Sequence, residues 1–160
     1  MKVRDIMTTQ VKRCGPEANL AEAVREMWAG DCGVLPVIDA DQKVIGVITD
    51  RDISIALGTR NRPAAEVTVG EVISGNVFAT RPDDDIHDAL RIIQTQKVRR
   101  LPVIDREGTL QGIVCLNDLA VHAEKADKRA VALSYEDVVN AMKAICDRRI
   151  ETARRGVASA

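Results

Sequence analysis

Leu35-Pro36-Val37-Ile38-Asp39, Val44-Ile45-Gly46-Val47-Ile48 and Thr49-Asp50-Arg51-Asp52 follow one another across a short polar gap, and they read as strand, turn, strand and helix start. The same order returns as Leu101-Pro102-Val103-Ile104-Asp105, Leu110-Gln111-Gly112-Ile113-Val114 and Cys115-Leu116-Asn117-Asp118. The offset is 66 residues throughout: Pro36 to Pro102, Gly46 to Gly112, Asp52 to Asp118. It also relates Val3 to Val69, Pro16 to Pro82 and Ala23 to Ala89, without a gap. A period this long, present twice, marks a duplicated subdomain and not a solenoid array.

Working outward, each copy begins with a short helical turn, at residues 3–7 and 69–73. An extended lead-in follows at 11–14 and 76–80, stopped by Gly15-Pro16 and Arg81-Pro82. Asn19 and Asp85 then cap helices. The first has Glu22 as the reciprocal partner of its cap. Leu20, Ala23, Val24 and Met27 form the apolar row of the first helix, and Ile86, Ala89, Leu90 and Ile93 that of the second. The two strands of the first copy, 34–38 and 44–48, show no alternation of apolar and polar residues, which predicts cover on both faces. The helix after the first hairpin is expected to run through Ile53, Ile55 and Leu57 to Gly58, with a polar linker at 59–63. The closing helix of the second copy is expected at 118–124. Neither copy has enough strands to stand alone. Pairing the copies yields an α+β module of approximate two-fold symmetry, divided as 1–66 and 67–125.

Residues 126–160 add a linker and an amphipathic helix that opens at Ser134-Tyr135-Glu136-Asp137 and ends near residues 149–153, with a frayed tail at 154–160. Its apolar row is Val138, Val139, Met142, Ile145, Cys146 and Ile150. The row either packs on its own module or pairs with a second subunit.

Composition narrows the function. With 160 residues, 46% hydrophobic and 29% charged, the chain has the make-up of one soluble globular domain. Aromatic residues are 2%, which excludes the stacking platforms of single-strand nucleic-acid binders. A net charge of −1 gives no general pull towards nucleic acid. No apolar run is long enough for a membrane span, and residues 1–9 lack a secretory core, so a cytoplasmic location is expected. Cys14, Cys32, Cys115, Cys146, His87 and His122 show no ligand spacing. Buried reduced thiols are expected, and no metal site. Asp83-Asp84-Asp85 is read as negative charge at a helix N-terminus. Arg60, Arg62, Arg148, Arg149, Arg154 and Arg155 are read as solvated faces.

Taken together, Val3-Arg4-Asp5-Ile6-Met7-Thr8, the two Leu-Pro-Val-Ile-Asp segments, Gly46 through Ile53 and Gly112 through Leu119 resemble a tandem CBS domain pair, the Bateman module. The resemblance covers residues 3 to about 125. It implies two βαββα units packed through their sheets, with an adenosine nucleotide held in clefts between them. AMP, ADP or ATP is the implied ligand, with S-adenosylmethionine or NAD less favoured, and flat homodimers are implied as the assembly. The regulated partner is unknown. No nucleophile stands with a base, so no catalysis is expected.

The residues supply chemistry for such a ligand. Backbone N–H groups at a helix start favour phosphate, and the Thr49 hydroxyl is a further donor. The two oxygens of Asp52 suit neighbouring ribose hydroxyls. Thr-x-x-Asp also satisfies a capping box with no ligand at all. In the second copy Cys115 replaces the hydroxyl while Asp118 remains, which weighs against capping alone unless Asn117 caps the helix instead. Lys97, Arg99 and Arg100 stand just before the second strand pair, where guanidinium forks suit a polyphosphate. In relatives of this kind a basic pair at the Arg99-Arg100 position contacts phosphate. The candidate nucleotide residues are therefore Val34, Pro36, Thr49 and Asp52 in a less basic cleft, and Arg99, Arg100 and Asp118 in a more basic one. Thr80 is a further candidate. The alternatives are a ligand-free structural or interaction module and a redox switch through Cys32, Cys115 or Cys146.

Overall fold

The structure, a computed structural model, describes residues 1–125 and 132–157, with side chains of the last helix through Asp147. The expected linker lies, Ala132 apart, outside the described residues, as do the side chains of Arg148, Arg149, Ile150, Arg154 and Arg155.

A 3-10 turn at Val3–Asp5 opens the chain, and α1 (Leu20–Ala29), β1 (Val34–Ile38), β2 (Val44–Thr49) and α2 (Asp50–Arg60) follow. The second copy repeats the order with a 3-10 turn at Val69–Glu71, α3 (Ile86–Gln96), β3 (Arg100–Ile104), β4 (Leu110–Cys115) and α4 (Leu116–His122), and α5 (Tyr135–Val157) closes the chain. The architecture is α+β: two copies of one unit, each with a two-stranded sheet, plus a C-terminal helix. β1 and β2 are antiparallel, with Val34 opposite Thr49 and Pro36 opposite Val47, and a bulge falls at Val37/Ile38.

The duplication extends to the backbone. Asp31 and Lys97, 66 residues apart, both adopt left-handed φ (46° and 53°) just past α1 and α3. Gln42 and Gly108 do the same in the two hairpin turns (64° and 89°). Glycine adopts that conformation freely, and Gln42 does so at some steric cost.

Two compact units result, and they cut across the linear repeats. One holds Met1–Thr8, Phe78–Val103 and the described part of 113–160. The other holds Thr9–Val77 and the hairpin tip Ile104–Gly112. The copies have exchanged their leading turns. Val3 N donates to Asp84 O (3.0 Å) and Arg4 N to Pro82 O (3.0 Å). Reciprocally, Val69 N donates to Ala18 O (2.8 Å) and Gly70 N to Pro16 O (2.8 Å). Val3 is accordingly buried with Ile86, Ile93, Leu101, Val114 and Leu119, while Val69 is buried with Leu20, Leu35, Val37 and Ile48.

Several local expectations need correction. β1 is buried from Val34 to Val37, but β2 is fully buried only at Gly46 and Ile48. β1 lies between β2 and the lead-in, where Cys14 bridges Val37, and so is more fully enclosed than β2. α2 continues through Gly58 to Arg60 and buries Ile53 and Ala56; Ile55 is exposed, because residues two apart point to different sides of a helix. α4 begins at Leu116, two residues earlier than expected. Arg60 and Arg62 are not simply solvated: both pair with Glu71, and the Arg60 guanidinium also donates to the Glu71 carbonyl (2.7 Å). α5 continues to Val157. None of the four cysteines is fully buried, and Cys146 is exposed.

Candidate functional site

The acids of the repeated helix starts are held alike, each by the N–H and side chain of its cap residue. Thr49 is the N-cap of α2. Its Oγ1 donates to Asp52 Oδ2 (2.6 Å), its N–H donates to the same oxygen (3.0 Å), and Oγ1 accepts from Asp52 N (3.2 Å). Cys115 is the N-cap of α4, where its N–H and thiol both donate to Asp118 Oδ2 (2.8 and 2.9 Å). Burial, and then the hydrogen bond to Asp118, push the Cys115 thiol above its ordinary pKa, which keeps it a neutral donor. The cap therefore stays at Cys115 and does not move to Asn117. Retention of Asp118 without a hydroxyl partner does not discriminate a ligand site from a cap, because sulfur takes the place of oxygen.

Both carboxylates leave Oδ1 outside these bonds. Each acid is half-buried.

Backbone bonds place the other candidates. The Gly33 carbonyl accepts from Asp50 N (3.3 Å), and the Arg99 carbonyl accepts from Leu116 N (2.9 Å), the matching bond 66 residues on. Val34 thus lies beside Thr49, to which it is paired across the hairpin, and Arg99 lies beside the first turn of α4. Arg99 and Arg100 are exposed, and no described hydrogen bond or ion pair engages either guanidinium. Val34 and Pro36 are buried in their strand; the Pro36 carbonyl accepts from Cys14 N (3.2 Å). Thr80, at the matching position to Cys14, is bound through its N–H to Pro102 O (3.1 Å). The residue is 3% exposed and its hydroxyl donates to Asp84 Oδ2 (2.9 Å). That engagement directs the hydroxyl of Thr80 to Asp84.

The three-aspartate run is used by the fold. Asp83 pairs with Lys2 and Arg4, Asp84 holds Thr80 and Arg81 N, and Asp85 caps α3 through His87 N (2.9 Å). Among the described residues no cluster of His, Cys, Asp and Glu could hold a metal ion.

One open hollow of about 380 Å³ lies in the unit of the first repeat, lined by Val24, Met27, Trp28, Asp31, Cys32, Gly33, Asp50 and Ile53. It contains none of the predicted contact residues, although Gly33 and Asp50 are chain neighbours of Val34 and Thr49. Trp28, at 89% exposure, marks its rim. An aromatic at the end of an apolar helical row is the signal that would have pointed there.

A duplicated α+β unit whose hairpins each lead into a helix with an acid bound back to its cap residue defines a tandem-repeat module. Residues 3–58 and 69–124 match the CBS domain, and the chain belongs to that family as a pair of such domains. It is 36% identical over 144 residues to the CBS domain-containing protein YhcV of Bacillus subtilis (strain 168), covering 85% of this chain and 97% of that one. The crystal structure of Hypoxic Response Protein I, which carries two coordinated zinc ions, superposes with a TM-score of 0.71 at 31% identity, over 78% of this chain and 100% of that chain. The CBS domain pair of protein MJ0100, in complex with 5'-methylthioadenosine and S-adenosyl-L-methionine, has the same fold. Its TM-score is 0.69 at 23% identity, over 76% of this chain and 94% of that chain.

Proposed function

We propose that the chain is a regulatory module that binds an adenosine nucleotide, AMP, ADP or ATP, and transmits occupancy to a separate protein. It acts by binding and not by catalysis, as a cytoplasmic homodimer. The observation that carries this reading is the pair of matching acids, Asp52 and Asp118, each with one oxygen bound into the cap and Oδ1 left over for ribose hydroxyls. Arg99 and Arg100, unengaged beside Asp118, supply the phosphate contact on that side. Val34, Pro36 and Thr49 border Asp52, and Thr80 borders the strand that Arg100 opens, where it bridges Val103. A nucleotide favouring one arrangement of the module shifts the population towards it.

Titration calorimetry with AMP, ATP and S-adenosylmethionine tests the reading. At least one nucleotide should bind. Asp118→Asn should weaken it at least tenfold, and Arg99→Ala with Arg100→Ala should weaken ATP more than AMP. If none binds, the second reading holds, a structural or interaction module without ligand. One observation favours that reading: Ser134 and Asp137 form the same box at the start of α5 (2.6 Å), where no ligand is invoked.

A further inference from the structure

Helix α5 carries two apolar rows where a helix packed on its own domain needs only one. Val138, Ala141 and Ile145 are 5%, 0% and 8% exposed and belong to the core of their unit. Tyr135, Val139 and Met142 are 56%, 48% and 49% exposed, and Cys146 is exposed as well. The single row expected from the sequence is therefore split. The outer residues succeed one another at intervals of four, three and four, the spacing of a seam between two helices. Exposed Glu136 and Lys143 flank that seam on one side, seven residues apart.

We propose that this outer row is an interaction surface for a second copy of the same helix, docked antiparallel. A two-fold axis passing between Asn140 and Ala141 sets Tyr135 opposite the partner subunit's Cys146 and Val139 opposite the partner subunit's Met142. Repetition by symmetry gives four apolar layers, the self-complementary contact that a two-fold interface requires. The same axis brings Glu136 alongside the partner subunit's Lys143, and Lys143 alongside the partner subunit's Glu136. Opposite charges thus meet twice, which selects the antiparallel register. The surface owes nothing to the nucleotide reading and stands or falls separately.

Sedimentation and oxidative cross-linking of the full chain test it. Wild type should show a concentration-dependent dimer, and Val139→Glu should weaken it at least tenfold, with little change in the Tm measured at concentrations where wild type is monomeric, since Val139 lies outside the core. Glu136→Lys should weaken the dimer, and adding Lys143→Glu should restore it. Tyr135→Cys should cross-link to the partner subunit's Cys146 on mild oxidation, and adding Cys146→Ala should abolish the cross-link. Within one chain these positions are eleven residues apart on a helix, roughly 16 Å, beyond disulfide reach. An unchanged mass for Val139→Glu would overturn the surface. A cross-link between two wild-type Cys146 residues would overturn the antiparallel register.

Discussion

Cys115 stands to Asp118 as Thr49 stands to Asp52: in each pair the cap residue's N–H and side chain both donate to one carboxylate oxygen, at 2.8 and 2.9 Å in the first and 3.0 and 2.6 Å in the second. A thiol and a hydroxyl do the same local work. The acids consequently have a structural role that any test of ligand binding must separate from affinity.

That separation can be measured by two substitutions at each position. Asp52→Ala and Asp118→Ala remove the acceptor, and each should lower stability by about 1 kcal/mol, the usual scale for a lost cap interaction. Asn in place of Asp keeps an acceptor oxygen and should recover most of that loss. Urea unfolding of the four variants reads the difference, and a larger loss for Asn than for Ala would contradict the capping role.

The exchanged leading turn makes Val3 part of the second repeat's core. Val3→Ala should cost about 2 kcal/mol in urea unfolding, comparable to removing methyl groups from Val114 in the same cluster. Val121→Ala, on an exposed position of α4, should stay within about 0.5 kcal/mol. Equal effects would mean that the leading turn is not held in that core.

Acid should loosen the junction of α3 and α5. The Asp85 carboxyl is held low, first by the His87 N–H and then by the His87 ring, and the Asp137 carboxyl is held low chiefly by Ser134 with a smaller contribution from His87. The His87 ring faces both, with Nδ1 2.9 Å from Asp85 and Nε2 3.7 Å from Asp137. Carboxyls depressed in the folded state contribute stability above their unfolded pKa near 4 and lose it as pH falls through the folded value. Denaturation midpoints should therefore be flat from pH 6 to about 5 in this respect and fall below about 4. His87→Ala should shrink that fall; an unchanged profile would remove His87 from the account.

Thiol reactivity should rank by exposure and burial. The Cys14 thiol is pushed up to about 11 by burial and by Glu26, so only about one part in a thousand is thiolate at pH 8. Cys115 is also raised, and Cys146 is exposed. In dilute protein, where the chain is monomeric, a disulfide reagent at pH 8 should modify Cys146 first and Cys14 last, and peptide mapping at short times reads the order. Early modification of Cys14 would show that its surroundings open readily.

Much of the architecture was legible because its signals are local. Asn19 and Glu22 exchange hydrogen bonds over three residues (both 3.0 Å), and Leu20, Ala23 and Met27 need only helical spacing to share a face. The candidate acids were legible for the same reason, since cap and carboxylate lie within one turn. The engagement of Thr80 by Asp84 was not, because the extended lead-in gives no periodic cue to a side chain's direction. Nor were the ion pairs of Arg60 and Arg62 with Glu71, which span nine to eleven residues and a change of element.

By itself, the sequence determined the duplication, the α+β order of each copy and the capped helix starts, since all of these rest on contacts between near neighbours in the chain. Only the tertiary structure decided which core each leading turn enters and which apolar row of α5 faces inward. Val3 and Val69 carry the same local pattern, and Val138 and Val139 are equally apolar, so their fates depend on partners tens of residues away that short-range periodicity does not record.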